Sequence, residues 1–577
     1  MTDKLRLKVL PRGKADFRTI RERGMAVVDK TQFIELVENC GADYVRIVRP
    51  RRFGKSLSVN MLEAYYDEAA AGDFDKVFAG TYIAEHKTAL AGAFRVLHLD
   101  FSGAASTDVD PAVRFLHKIH SALVEYFGKY PHPQQTKILD EPYSDAASLM
   151  EAFLALMGVE YRQKLFVIID EYDQFPNEIL AADLNQFKAI TSSRGFLKDF
   201  YSCLKAATTK AVARVFITGV TTISLDSMTS GFNIAENVSA DPDFAAAIGF
   251  TEQELKELIL ESVNLKLKNW SLDDLVAQMR EWYNGYRFSP YSDETVFNSN
   301  MCLYYLSRLQ KTGRAPENMI DPASGQNLDK IESILALGDS RFVRQTVERA
   351  LRCEAIPFPG GLRELNLNQS SEFDDYGLLS AMFYFGYLTY ARGEDPALVI
   401  PNRAVSIQFF EYFLKHIMAT DRYEFVAQDF VEALRQLAAG NPRPLFEVTC
   451  RRFDEASSVH AYGHLQESNF QTLVLGAFNF SDAYDVQSEA EVRGEDKGFV
   501  DILAVPKVGS SATTAYLVEL KHLKAKEYSA AAVDRLVREA QDQMARYVEG
   551  ANLKAIQNLK TVTAVFVGMK LEKLVVC

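Results

Sequence analysis

The sequence of 577 residues has few cysteines, and none of its six lies in a CxxC pair. This usage argues against a disulfide framework and against a cysteine zinc site, and it fits a reducing compartment, so we expect a cytoplasmic protein. The HExxH zinc motif and the GxSxG nucleophile motif are also absent. Acyl-transfer chemistry and zinc-protease chemistry therefore have no support in the sequence.

Long hydrophobic runs are missing too. No segment approaches eighteen consecutive apolar residues, so no transmembrane helix is expected. The first residues, "MTDKLRLKVLPRGK", lack an apolar core, so we expect no secretory signal. A net charge of −13 does not favour indiscriminate binding of polyanions. A local basic face would still suffice for nucleic acid, so charge leaves the partner open.

What is present first is a candidate phosphate loop, "RIVRPRRFGKSLSVNML", from Arg46 to Leu62. Gly54-Lys55-Ser56 lies between an apolar strand pattern and an amphipathic helix pattern, the context that a P-loop requires. Arg49 stands where such a loop normally has its first glycine. The alternative is an ordinary helix N-terminus with a solvated lysine.

Four strand patterns alternate with helical patterns over the first two hundred or so residues, which predicts a mostly parallel α/β sheet. They lie at residues 43–48, 94–103, 164–175 and 213–223. The third pattern is apolar nearly throughout, as expected of a central strand that is covered on both faces.

The third pattern ends in Asp170-Glu171, at the sheet edge where open α/β folds bind ligands. We expect Asp170 to hold Mg²⁺ and Glu171 to polarise the attacking water. A helix cap or a turn would explain the same two residues. Thr218, at the end of the fourth pattern, is a candidate sensor of the γ-phosphate or simply a strand-end hydroxyl.

The middle of the chain is mainly helical. Thr251 followed by Glu254 predicts a capping box at the start of a helix. Residues 376–416 read as helix, turn, short strand and helix, and suggest a winged-helix module.

The last 130 or so residues return to an α/β pattern. Asp501 lies in one strand pattern, and Glu519 and Lys521 lie in the next, two positions apart on the same face. If these strands form a hairpin, the three side chains meet at one edge, and Glu467 on the preceding helix could add a carboxylate. Such a group can bind a divalent cation and act on a phosphodiester. A surface salt bridge is the alternative, but the neighbouring residues are apolar, and isolated charges are costly there.

Several motifs together resemble the AAA-ATPase-like family, in which an ATPase domain is followed by a PD-(D/E)XK nuclease-superfamily domain. They are "VVDKTQFI", "RPRRFGKSLSVNML", "VIIDEYD", "FITGVT", "SGFNIAENVS" and "WYNGYRF". The family loop also begins with RPRRFGK, so the resemblance makes Arg49 a family trait. It implies an ATP-binding fold with Lys55 and Ser56 on phosphate and magnesium, and with Asp170 and Glu171 as the second motif. With the residues selected above, the candidate nucleotide contacts are Asp170, Thr218 and the loop residues Arg52, Phe53, Gly54, Lys55, Ser56 and Leu57.

The second half of the resemblance rests on Asp501 and Glu519-Leu-Lys521, which match the nuclease signature after Gly498. The implied metal site consists of Asp501 and Glu519, to which Glu467 could add a third carboxylate. Lys521 completes the implied cleavage site. Gln543 and Tyr547 match the Q-x₃-Y element of exonuclease-like members and are implied nucleic-acid contacts.

The sequence therefore predicts an α/β protein in three parts: an AAA-like P-loop core at 1–235, a helical lid with a possible winged helix at 236–445, and a PD-(D/E)XK domain at 446–577. We expect ATP binding to gate a metal-dependent nuclease that acts on DNA or RNA, with DNA favoured over RNA. Two alternatives stay open: a nucleotide-dependent switch whose nuclease-like domain binds without cutting, and an ATP-driven assembly factor. In a homo-oligomer, Arg194 or Arg214 could complete a neighbour's ATP site.

Overall fold

The computed structural model divides the chain into two compact units, and each combines several stretches of sequence. The first unit comprises Met1–Gln326, Ser333–Asp339 and Pro357–Asn402, and the second comprises Asn327–Glu332, Ser340–Ile356 and Arg403–Cys577. The structure describes residues 7–103, 110–174, 195–222, 232–265, 270–322, 328–363, 374–393, 395–417, 423–456, 467–481, 483–492, 498–507, 510–550, 552–568 and 570–577.

The first unit is built on a five-stranded parallel sheet. Its strands are β1 (Tyr44–Val48), β2 (Arg95–Asp100), β3 (Leu165–Asp170), β4 (Val212–Gly219) and β5 (Glu236–Asn237). Their order across the sheet is β2-β3-β4-β1-β5, and every neighbouring pair is parallel. All six residues of β3 are buried, as expected of an apolar strand in the middle of a covered sheet. The predicted parallel α/β sheet is confirmed.

Helices connect and cover these strands. They are Phe17–Glu22, Gln32–Asn39, Lys55–Tyr66, Phe74–Val77, Tyr82–Glu85, Pro111–Lys129, Gln135–Leu139, Ala146–Glu160 and Phe196–Ala207, with 3₁₀ turns at Glu68–Asp73 and Pro242–Phe244. Local sequence sets where they begin: the Asp145 side chain accepts from the N–H of Ser148, and the Asp110 side chain accepts from the N–H of Ala112 next to a proline in the first turn.

The helical middle is also present. It contains Glu252–Ser262, Leu272–Tyr283, Ser299–Thr312, Leu328–Leu335, Ser340–Leu351 and Asp375–Tyr384. Thr251 and Glu254 form the predicted capping box, with both reciprocal hydrogen bonds in place. Three short strands also lie in this part of the chain: β6 (Ile356–Pro357), β7 (Thr389–Tyr390) and β8 (Ala397–Val399), of which β7 and β8 pair antiparallel. The winged helix stays a prediction.

The second unit contains a five-stranded mixed sheet in the order β13-β12-β11-β10-β9. Its strands are β9 (Tyr484–Val492), β10 (Gly498–Pro506), β11 (Ala515–Leu523), β12 (Leu559–Val567) and β13 (Lys570–Val576). Strands β11 and β12 are parallel, and the helix Ala530–Tyr547 makes the crossover between them. The other neighbouring pairs are antiparallel.

Helices complete the second unit: Arg403–Tyr412, a π-helical turn at Phe413–Ile417, Tyr423–Ala438, Arg443–Ala456 and Glu467–Ala477, with 3₁₀ turns at Phe478–Phe480 and Ala525–Glu527. Phe470 stacks on Phe566 of β12, with ring centroids 4.2 Å apart. Val533 and Val537 of the helix Ala530–Tyr547 pack on Val565, the residue next to Phe566 on β12. Because neighbouring residues of a strand face opposite sides, each face of the sheet is covered by a helix. Within the described ranges, no helix is both long and apolar enough to cross a membrane.

Candidate functional sites

The loop between β1 and the helix Lys55–Tyr66 adopts a conformation that side chains normally resist. Gly54 has φ +105°, and the non-glycine Arg52 has φ +73°. Two contacts from the start of the helix Ser299–Thr312 hold this loop: Ser299 Oγ donates to the Phe53 carbonyl at 2.6 Å, and the Asn300 N–H donates to the Arg52 carbonyl at 3.2 Å. The strained loop is thus anchored by tertiary hydrogen bonds.

Lys55 and Ser56 meet the acidic end of β3. The Lys55 side chain is 3% exposed, and its Nζ lies 3.7 Å from Glu171 Oε1 and 3.2 Å from the Pro50 carbonyl. The Ser56 side chain favours the charged form of the Asp170 carboxyl group, and both residues line one cavity. The two motifs that the sequence placed about 115 positions apart therefore share one site.

Burial raises the pKa of both carboxyl groups at this edge. For Asp170, the hydrogen bond from Ser56 and the charge of Lys55 act against that rise. For Glu171, Lys55 acts against it and Asp173 adds to it. Glu171 also has φ +53°, a left-handed conformation uncommon outside glycine. A raised pKa makes a carboxylate a stronger base, which suits a group that would take a proton from water.

Two cavities flank the loop. The first, of about 330 Å³, is lined by all six loop residues that the sequence analysis selected, Arg52 to Leu57. The second, of about 450 Å³, is lined by Ser56, His98, Asp170 and Glu171 among others. Oxygen ligands at Ser56 and Asp170 fit Mg²⁺, and the first cavity is of a size that suits a small-molecule ligand.

Thr218 lies on β4 opposite Ile47 and is fully buried. Among the described residues its hydroxyl has no hydrogen-bond partner, and Thr218 is not part of the lining of either cavity. Its role as a sensor stays a prediction. Arg214 lies 3.5 Å from Asp43 in an ion pair, and Arg194 is outside the described residues.

Arg49, at the position of the missing glycine, does not reach into the loop. Its guanidinium donates to the carbonyls of Val48, Ser239 and Phe244 at 2.7–2.9 Å and lies over the Phe288 ring, 4.3 Å from the centroid. Burial lowers the pKa of Arg49 to about 9. This arginine ties the end of β1 to a segment almost two hundred positions away, which no local pattern reveals.

Asp173 is a second functional neighbour that sequence reasoning missed. Its buried carboxylate accepts hydrogen bonds from the N–H groups of Val220 and Thr221 at 3.0 and 2.7 Å and from the Thr221 hydroxyl at 2.6 Å. Tyr172 donates to the Thr221 carbonyl at 2.6 Å. The end of β3, next to Glu171, is thereby fastened to the chain that leaves β4.

The second site lies where β10 and β11 pair. Ile502 is opposite Val518, and just beyond this pair the Leu520 N–H donates to Asp501 Oδ2 at 2.6 Å. Lys521 Nζ lies 2.8 Å from Glu519 Oε1. The hairpin that the sequence analysis required does form, and it brings Asp501, Glu519 and Lys521 together.

Glu467, the first residue of the helix Glu467–Ala477, joins this group. Its Oε1 is 4.0 Å from Lys521 Nζ, and its Oε2 accepts from the His522 N–H at 3.2 Å. Two carboxylates thus pair with one ammonium group, and the charge of Asp501 also acts on it. Burial first, and then the like charge of Glu519, raise the pKa of Asp501 to about 6. Burial also raises the pKa values of Glu519 and Glu467.

Glu519 carries the clearest sign of an incomplete site. The residue is 3% exposed, and its Oε2 has no hydrogen-bond partner among the described residues. A buried carboxylate oxygen without a partner is costly, and a divalent cation would satisfy it. No three metal-ligating side chains in the described part of the chain form a complete set as they stand, so water would supply the remaining ligands.

Glu489 on β9 belongs to the same neighbourhood, although the sequence analysis did not select it. The β9–β10 ladder pairs Val500 with Ala490 and Ile502 with Ser488, which leaves Asp501 facing Glu489. Glu489 has φ +46°, and its charge contributes to the raised pKa of Asp501. It lies in an alternating strand pattern with other acidic residues, so only the register distinguishes it.

Gln543 and Tyr547 lie on the crossover helix. Gln543 Nε2 donates to the Tyr547 hydroxyl at 3.3 Å. Tyr547 packs so closely on Gly498, at the start of β10, that a Cβ there would lie 1.9 Å from the Tyr547 hydroxyl oxygen. The two residues therefore support the strand that carries Asp501, and their contact with nucleic acid stays a prediction.

Comparisons with known proteins match both regions. A family model described as "Predicted AAA-ATPase" matches residues 11–229, and a model described as "PD-(D/E)XK nuclease superfamily" matches residues 465–576. A curated relative from Azotobacter chroococcum mcd 1, described as "Uncharacterized protein in vnfD 5'region", is 27% identical over 300 residues. That match covers 50% of this chain and 50% of the relative, so the chain spans about half the length of the relative.

Proposed function

Because residues 11–229 form an AAA-ATPase-like domain and residues 465–576 a PD-(D/E)XK nuclease-superfamily domain, we propose that the chain hydrolyses ATP in its first unit and cleaves nucleic-acid phosphodiester bonds in its second. DNA is the expected substrate. Magnesium is the expected ion at both sites, because it prefers oxygen ligands. The first site offers a hydroxyl and a carboxylate oxygen, and the second offers carboxylate oxygens.

The ATPase proposal is supported by the placement of Ser56, Asp170 and Glu171 around one cavity, next to the larger part of the phosphate loop that lines the other. Lys55 would bind the terminal phosphates, and Ser56 and Asp170 would hold the magnesium ion, which neutralises phosphate charge. Glu171 would orient the attacking water and take its proton. Its 3.7 Å separation from Lys55 Nζ keeps this base next to the group that grips the phosphate.

The nuclease proposal is carried by Glu519 Oε2, which has no hydrogen-bond partner among the described residues and whose charge acts on Asp501. The two carboxylates would hold a divalent cation, which lowers the pKa of a bound water toward neutrality. Lys521, already 2.8 Å from Glu519, would place its positive charge near the scissile phosphate and stabilise the charge that builds up there.

A second candidate function is a nucleotide-dependent switch whose nuclease-like domain binds nucleic acid or protein without cutting it. One observation favours it: the described residues contain no preassembled set of three metal-ligating side chains. Under this alternative the acidic group would serve recognition, and its substitution would change binding but release no product.

Cleavage assays on the full-length chain separate the two. Linear DNA and RNA are incubated with Mg²⁺ or Mn²⁺, with and without ATP, and products are counted by end-labelling. Asp501→Ala and Lys521→Ala should each remove cleavage, whereas Glu491→Ala, an exposed glutamate on β9, should leave it unchanged. Binding without cleavage by the wild type, under every condition, would establish the switch instead. Lys55→Ala should abolish ATP hydrolysis, and unchanged nuclease activity in that variant would refute gating by ATP.

A further inference from the structure

The cavity of about 330 Å³ that the phosphate loop lines is also lined by Lys30, in the Asp29-Lys30-Thr31 segment whose role the motifs leave open. The lining as a whole is mainly apolar, with Val27, Met61, Ile248, Phe250 and Leu303 among its residues. A mainly apolar cavity with a few placed polar groups is the usual form of a site for a flat aromatic ligand.

Two contacts hold the ammonium group of Lys30 in place. Its Nζ lies 2.7 Å from the Ala246 carbonyl and 2.7 Å from Glu254 Oε2. The preceding Asp29 accepts from both the N–H and the hydroxyl of Thr31, at 2.9 and 2.7 Å, and so fixes the backbone at this point. An ammonium group has three hydrogens, and its contacts with the described residues use two of them.

A structural role alone does not explain why a lysine lies in the lining of this cavity at position 30. Arg49 already binds the carbonyls of Ser239 and Phe244, so the segment before Ala246 is fixed without Lys30. The Lys30 side chain is 17% exposed and faces an apolar cavity, where a partly bonded ammonium group is costly. A ligand that accepts its third hydrogen would offset that cost.

We propose that Lys30 reads the base of the bound nucleotide by donating its third ammonium hydrogen to a ring nitrogen of a purine. The proposal rests on nucleotide binding at the phosphate loop, the function proposed above. Adenine presents N1, N3 and N7 as acceptors, so one of these three nitrogens meets Lys30 when the phosphates lie at Lys55. The Asp29-Lys30-Thr31 segment thereby acquires a function in base selection.

The test compares binding of the β,γ-methylene form of ATP with its 1-deaza, 3-deaza and 7-deaza analogues, each of which lacks one ring nitrogen. Isothermal titration of the full-length chain gives the affinities. One analogue should bind the wild type about tenfold more weakly than the parent, the loss expected for one hydrogen bond from a charged group. Lys30→Met should bind the parent and that analogue equally well.

Lys14→Met is the matched control, because Lys14 lines the same cavity but is exposed, and it should keep the tenfold difference. Tripolyphosphate should bind the wild type and Lys30→Met with the same affinity, which shows an intact loop; if it does not, Lys30→Gln replaces that variant. Equal binding of all three analogues and the parent by the wild type, or a difference that persists without Lys30, would overturn the proposal.

The outcome also separates this proposal from the proposed ATPase function. A wild-type chain that binds neither the ATP analogue nor tripolyphosphate contradicts both proposals. A chain that binds tripolyphosphate as tightly as the ATP analogue contradicts only the reading of the base by Lys30.

Discussion

Leu520 donates its backbone N–H to Asp501 Oδ2 at 2.6 Å. This bond joins β10 to β11 between Glu519 and Lys521, the two neighbours of Leu520 on β11. Glu519 Oε2 is buried without a partner in the described part of the chain. Folding thus brings the like charges of Asp501 and Glu519 together, which costs free energy, and a bound cation would offset that cost.

This arrangement predicts a characteristic pH dependence in EDTA. The pKa of Asp501 is raised to about 6, above its value in an unfolded chain, so the folded state binds a proton more tightly. Stability linked to Asp501 should therefore rise as pH falls from 7 toward 4. Asp501→Asn should be more stable than the wild type at pH 7 by about 2–3 kcal/mol, and the difference should shrink toward zero near pH 4.

Urea unfolding of both chains at several pH values measures this difference. A constant difference between pH 7 and pH 4 would show that Asp501 does not titrate as described. Saturating Mg²⁺ should reverse the order at pH 7, because the cation binds the folded wild type and not the variant.

Glu489→Gln should lower the affinity for Mn²⁺, because Glu489 faces Asp501 across the β9–β10 ladder and adds negative charge there. We expect a loss of about threefold to tenfold in a titration followed by the paramagnetic resonance of free Mn²⁺, the range for one nearby charge in a partly solvated site. Glu491→Gln, on the same strand, is the control. Equal losses in both variants would mean that only the overall charge matters.

Ser56→Ala should weaken ATP binding in Mg²⁺ about tenfold and leave binding in EDTA nearly unchanged. The Ser56 hydroxyl, which shares a cavity lining with Asp170, is the group expected to ligate the ion. Ser58→Ala serves as the control, since the Ser58 hydroxyl bonds the Gly54 carbonyl on the same helix. A deficit of the same size in EDTA would assign Ser56 to the phosphate rather than to magnesium.

Gly219→Ala should destabilise the first unit by about 2–4 kcal/mol, because a Cβ there would lie 2.2 Å from Asp173 Oδ1 and 2.7 Å from the Tyr172 ring. Thermal unfolding measures the effect. Gly128→Ala, in the helix Pro111–Lys129 with no atom within 4 Å of the new Cβ, should be neutral or slightly stabilising. A Gly219→Ala chain as stable as the wild type would show that Asp173 can move aside.

Sequence patterns predicted the elements that carry local signals. The apolar β3 with Asp170 at its end, the capping box at Thr251, and the hairpin that brings Asp501 to Glu519 all depend on residues whose spacing is fixed by strand or helix geometry. Such spacing is visible in one sequence because the period of each element sets which side chains share a face.

The contacts that escaped prediction join residues that are distant in sequence. Arg49 binds the Phe244 carbonyl, 195 positions away, and Asp173 binds Thr221, 48 positions away. Glu489 lies near Asp501 because of the register in which β9 pairs with β10, and that register depends on tertiary packing. The assembly of the second unit from three separate stretches of chain likewise leaves no local pattern.

The most direct measurement is an anomalous difference map from a crystal of the full-length chain soaked in Mn²⁺. The account predicts a manganese peak within about 2.0–2.2 Å of carboxylate oxygens of both Asp501 and Glu519, a typical distance for a hard divalent cation. Manganese bound elsewhere in the crystal, with none between these two side chains, would contradict the central claim.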